Sequence, residues 1–172
     1  SAPLPADLSP FDHLPDGARL WLLALTRDTE AATLAPQMEA QLGRWRHKGV
    51  QYQGAWALLE RRILAVAEPT LATQPSGCAI DGMLRGVHQI TAKLGLALED
   101  PQAVLVRLAD GIRALPRTEL EARLEDGTLD GTTPVLDLAL LTVGDLRGGR
   151  FERPLAATWI GRKHLRPVGS GL

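Results

Sequence analysis

The chain has 172 residues, with 19 Lys and Arg against 20 Asp and Glu, so its formal net charge is −1. Hydrophobic residues make up 45% and charged residues 23%; this fills one domain or two small lobes sharing a core and excludes wholesale disorder. Near-neutrality removes any global argument for nucleic acid or an anionic membrane as partner, and the single cysteine cannot close an internal disulfide.

Pro3, Pro5, Pro10 and Pro15, closed by Asp16-Gly17, predict an extended arm over 1–17. The apolar run 20–26 suits a buried strand. Thr33 is a candidate cap for a helix with Pro36 in its tolerated first turn. Leu34, Met38, Gln41, Leu42 and Trp45 then share one face, and Gly49 is a natural stop. Val50, Tyr52, Gly54, Trp56 and Leu58 alternate with their neighbours as in a strand with one buried face. Beyond the polar corner Glu60-Arg61-Arg62, 63–67 reads as its hairpin partner and 69–75 as a loop. Ile80, Met83, Leu84, Val87, Ile90, Thr91 and Leu94 stripe a helix from about residue 78 to 94, ended by Gly95.

The stretch 96–102 holds a proline and acidic residues and is the predicted seam between lobes. Asp110-Gly111 between two apolar runs, 103–109 and 112–115, is the clearest hairpin signal. Thr118 with Glu121 predicts a capping box for a short helix stopping near Gly127, and Thr142 with Asp145 a second. A strand is expected over 135–141, and a last helix with Pro154 in its first turn carries Trp159. Trp21, Trp45, Trp56 and Trp159 are expected as large core plugs.

The order predicts an α+β fold, a mostly antiparallel sheet from β-α-β-β-α and β-β-α-β-α halves with helices packed on it. The expected division is an arm over 1–17, lobes over 18–98 and 99–165, and a flexible tail over 166–172; the two lobes could form one compact domain. Apolar runs such as 20–25 and 135–141 fall far short of a membrane span, and no leader pattern opens the chain. The expectation is a soluble cytoplasmic protein with no membrane partner.

Cys78 stands where a helix must begin, in Gln74-Pro75-Ser76-Gly77-Cys78-Ala79-Ile80-Asp81. Unpaired N–H groups and the positive end of the helix dipole favour its thiolate. Cys78, Asp81, Arg85 and His88 then lie along one flank of the helix, beside the apolar stripe. His88 is about 15 Å along the helix from Cys78, so a Cys–His nucleophile needs a histidine from elsewhere, such as His47 or His164. The plainer reading is a small packed cysteine, with Ser76 as cap and Asp81 complementing the dipole. A third use of the turn is to hold a phosphate or carboxylate on its N–H groups.

No phosphate-binding lysine loop and no G-x-G-x-x-G motif is present, which sets aside nucleotide hydrolysis of the P-loop type. His13, His47, His88 and His164 are scattered without ligand spacing, so no metal and no other cofactor is expected. Arg44, Arg46, His47 and Lys48 crowd a helix end, where cations suit the dipole. Arg147, Arg150, Arg153, Arg162, Lys163, His164 and Arg166, interleaved with Phe151 and Trp159, form a second basic group; arginines beside aromatics can bind single-stranded nucleic acid or a phosphorylated partner, and a solvated tail anchored by Trp159 is the plainer reading.

Ser76-Gly77-Cys78-Ala79-Ile80-Asp81 resembles the S-G-C-[SA]-I-D motif of a small uncharacterised bacterial family, some of whose members carry an ABC-transporter ATPase label although the family lacks a P-loop. The similarity continues through Leu115-Pro116-Arg117, Gly127-Thr128-Leu129 and the Pro154-Leu155…Trp159 ending. The chain departs from the family's W-x-x-H-G pattern, since Trp45-Arg46-His47-Lys48-Gly49 puts Lys48 in the histidine position. The resemblance implies a shared fold and a shared site at Ser76, Cys78 and Asp81, without an established activity.

The expected function is that of a binding or accessory protein, not a catalyst. It meets a protein partner or small anion through the loop 74–81, with Ser76, Gly77, Asp81, Arg85, His47 and Lys48 as contacts. One alternative is a thiol-dependent enzyme or redox sensor with Cys78 as nucleophile. The other is nucleic-acid binding through Arg150, Arg153, Arg162, Lys163 and Arg166.

Overall fold

Three strands of the first hundred residues assemble into one antiparallel sheet, as a computed structural model of the chain shows; it describes residues 8–44, 46–47, 50–51, 54–71 and 77–165. β1 (Ala18–Ala24) pairs with β5 (Ile63–Leu71), which pairs with β4 (Ala55–Leu59), giving the order β1-β5-β4. A short antiparallel ladder joins β2 (Arg46–His47) to β3 (Val50–Gln51). A second sheet has the order β7-β6-β8-β9, from β6 (Val104–Leu108), β7 (Gly111–Leu115), β8 (Pro134–Leu136) and β9 (Glu152–Pro154). Every pairing is antiparallel and helices alternate with the strands, so the fold is α+β. Contacts divide the chain into two units: the described residues of 8–99 with Leu138–Gly149, and those of Asp100–Asp137 with 150–165.

In the first unit the strand period of two sorts side chains between two faces. One row carries Trp21, Val66 and Trp56, and the next Leu23, Leu64 and Leu58. These pack under α1 (Ala31–Arg44) and α2 (Gly77–Lys93) in a cluster holding Leu34, Met38, Met83, Val87 and Ile90. Gly86 of α2 lets α1 come close, since a Cβ there would stand 2.2 Å from the Gln41 side chain. Arg19 and Glu68 extend the same face as a buried ion pair, 6% and 2% exposed, with Nε to Oε1 at 3.9 Å.

The opposite face is built of smaller residues: Leu20, Ala67 and Ala55, then Leu22, Ala65 and Ala57, then Ala24, Ile63 and Leu59. All nine are buried. The 3-10 turn Ser9–Phe11 packs against β4, and α4 (Val143–Arg147) against β1. The arm expected over 1–17 is therefore corrected for its described part: Phe11 is 0% and Leu14 4% exposed. Arg147 ties the two coverings, donating to the Asp16 carboxylate at 2.7 Å and to the carbonyls of Phe11 and Leu14 at 2.8 and 2.9 Å. Leu138–Gly149, expected with the second lobe, belongs to this unit because α4 docks here.

The β4–β5 turn puts two non-glycine residues in the left-handed region, Glu60 at φ 54° and Arg61 at φ 58°. Such residues cost about 1–2 kcal/mol each. The turn is held by its surroundings: the Arg61 and Arg62 carbonyls accept from Thr29 and Leu25, each at 2.8 Å. The Arg62 guanidinium donates to the Leu25 and Thr26 carbonyls and to Glu99, and Arg61 pairs with Glu30.

In the second unit α3 (Arg117–Glu125) and α5 (Trp159–His164) lie with a core of Val104, Val106, Leu115, Leu120, Val135, Leu155 and Ile160. Arg107 grips Glu152 with both carboxylate oxygens engaged, tying β6 to β9 across β8.

Several local expectations are corrected. The 142–145 capping box forms, but the 118–121 box does not: α3 starts a residue before Thr118, with Pro116 at its cap. α1 starts at Ala31, which puts Pro36 past its first turn. β5 runs to Leu71 through Pro69, and β8 stops at Leu136. Pro154 precedes the 3-10 turn Leu155–Ala157, and α5 starts separately with Thr158 as its cap. The described tryptophans are not core plugs: Trp21 and Trp56 are half-buried and Trp159 is 43% exposed. An indole N–H needs a partner that a dry core lacks, and Phe11, Phe151, Met38 and Met83 fill the interior instead.

Candidate functional site

Gly77, Cys78, Asp81, Arg85 and His88 all fall on α2, as their spacing predicts. Arg85 and His88 are exposed. Ser76 and Lys48 lie outside the described residues, as do the side chains of Cys78, Asp81 and His47. Of the histidines considered for Cys78, His164 is already engaged. Its Nδ1 is 3.0 Å from Glu121 Oε1 and its Nε2 is 3.4 Å from Arg117 Nη1, with the ring 6% exposed.

The members of the C-terminal basic group differ in their contacts. Arg147 is consumed by the turn it ties. Arg153 faces Asp137 at 3.6 Å, with its Nε buried and unpartnered. Arg150, Arg162 and Lys163 are exposed, and Arg166 lies outside the described residues. Trp159 is covered on one side by the Arg117 guanidinium, 4.7 Å from the ring centroid, a contact worth about 0.5–1 kcal/mol at an exposed site. Nothing local in the sequence announces this pair, because its members lie on different helices.

An open groove of about 640 Å³ runs beside β4 in the first unit. Its floor includes five consecutive residues, Gly54, Ala55, Trp56, Ala57 and Leu58. Successive strand residues point to opposite faces, so a space that touches all five runs along the strand's edge and not over one face. Its walls come from the two layers covering the sheet. Ala31, Glu39 and Leu42 of α1 stand on one side, Pro10 and His13 on the other. Among the described residues β4 pairs with β5 alone, so alternate N–H and C=O groups along its outer edge face the groove. Sequence reading found the strand but not the groove, because an edge is defined by which strand fails to arrive.

Comparison of the chain with protein-family models, with curated proteins and with solved structures finds no match. No helix among the described residues is long and apolar enough to cross a membrane, and no three His, Cys, Asp or Glu gather there as a metal site.

Proposed function

We propose that the protein is a binding module that receives an extended segment of a partner polypeptide along the open edge of β4. The observation that carries this reading is the groove floored by consecutive β4 residues and walled on both sides. An added strand gains main-chain hydrogen bonds from such an edge, while the walls select among side chains. The described lining residues include no nucleophile: His13 and Glu39 are its ionisable groups, amid Pro, Ala, Leu, Gly and Trp. That composition suits recognition of an apolar chain better than bond cleavage.

Ten-residue peptides of alternating Thr and Val, titrated into the full chain and followed by amide NMR, test the reading. Binding should slow exchange of alternate β4 amides and leave the already paired β5 amides unchanged. A peptide N-methylated at every second residue should lose binding in one phase of the alternation and keep it in the other. Perturbation confined to other elements, or equal tolerance of both methylated peptides, rejects edge pairing.

A further inference from the structure

Of the features outside that reading, the twin Asp turns at 126–128 and 130–132 and the Trp159–Arg117 pair are each complete within themselves. The groove holds one feature that is not. Glu39 stands on its α1 wall, exposed, and among the described residues no ion pair or hydrogen bond satisfies its carboxylate. Four other acids of the same unit meet an arginine, Asp16 with Arg147, Glu30 with Arg61, Glu68 with Arg19 and Glu99 with Arg62. Asp12 and Asp28 are exposed like Glu39 but do not line the groove. We infer that the segment received beside β4 carries a lysine or arginine at the one register position facing Glu39. This rests on the edge-pairing reading above and adds the chemistry of the partner.

The geometry of the groove favours a single peptide strand over a second copy of this chain. Residues of both covering layers line the groove, so β4 forms its floor and is recessed between them. Ladder pairing needs strands about 4.8 Å apart, and two equally recessed edges cannot approach that closely. An extended segment with nothing stacked on its faces can. Charge then selects among such segments: a carboxylate on an otherwise apolar wall favours a cation and penalises an anion in the same place.

A positional scan of the Thr/Val peptide, placing Lys, Gln or Glu at each position in turn, tests the inference by fluorescence anisotropy with the full chain. One position should show Lys binding roughly threefold tighter than Gln and Glu weaker than both, a contrast that shrinks as salt is raised. Glu39→Gln should remove the Lys advantage over Gln while leaving the thermal melt unchanged, and Glu39→Lys should transfer the preference to the Glu peptide. A flat scan, or a Lys preference that survives Glu39→Gln, overturns the charge inference even where peptides bind. Failure of every peptide to bind overturns the edge-pairing reading beneath it. Sedimentation showing a dimer that peptide disperses assigns the groove to a second copy and overturns the choice of occupant.

Discussion

The two sheets treat their edges differently. In the second, β9 is three residues long, carries Glu152 and Arg153, and ends in Pro154, which has no N–H to offer. Its opposite edge, β7, starts at Gly111 with φ 127° and exposes Arg113. Short length, charge and proline are the usual means of blunting an edge. In the first sheet β1 is covered by chain: Leu20 N–H donates to the Leu141 carbonyl, and at its other end Thr26 N–H donates to the Ala97 carbonyl and Glu99 N–H to the Ala24 carbonyl. β4, Ala-Trp-Ala-Leu-Leu, carries no charge or proline, and no described segment bonds to its outer edge. Among the described residues three of these edges are closed and the β4 edge is open between walls, which is why that one carries the functional proposal.

Breaking the walls should have the largest effect. Phe11→Ala removes a fully buried ring from the turn against β4 and should cost about 3–5 kcal/mol, read as a lowered urea midpoint. Peptide binding should fall with it even at temperatures where the variant stays folded, because the groove loses the seat of one wall. Arg147→Ala comes next. It releases Asp16 and the carbonyls of Phe11 and Leu14 together, at about 2–3 kcal/mol since charged hydrogen bonds are lost. Arg147→Lys should recover only part of this, because an ammonium cannot reproduce the planar fork.

The covered edge of β1 offers a smaller test. Thr142 caps α4 by accepting from the Asp145 N–H at 3.1 Å, while Asp145 accepts from the Thr142 N–H. Thr142→Ala should cost about 1 kcal/mol. It should also loosen the segment bonded to β1, so the Leu20 amide should exchange faster while those of β5 hold. Equal acceleration in both strands would mean that the segment is not an independent cover.

How far the sequence reaches follows from the same contrasts. The helix stripe of α2, the β6–β7 turn and the 142–145 box depend on neighbours within a few residues, and each was readable. The burial of Phe11 was not, because it depends on Arg147, 136 residues away. Prolines at 10 and 15 suggest an arm only until that guanidinium collects the turn's carbonyls. The groove was hidden for a related reason: the apolar run 55–59 reads the same in a central strand as at an edge. Glu39 likewise reads as an ordinary solvated acid until the wall beneath it is known.

The smallest predicted effect concerns the turns leading the chain to β8, where sequence repeats Asp-Gly-Thr. The Asp126 carboxylate accepts from the Thr128 hydroxyl and N–H, and Asp130 does the same with Thr132. These bonds favour the ionised form and hold both carboxyls below their ordinary value of 3.8. Their stabilising contribution is therefore present above that value and fades as pH falls through the lower folded one. Thr128→Val and Thr132→Val should each move the matching carboxyl up toward 3.8 in a ¹³C titration, and incompletely, since the backbone N–H still donates. The two sites should separate with salt: Arg123 also lowers Asp126, whereas Asp130 has no arginine contributing. Raising ionic strength should lift Asp126 slightly and leave Asp130 in place. An equal response at both would show that the turn bonds, and not the neighbouring charge, account for the whole displacement.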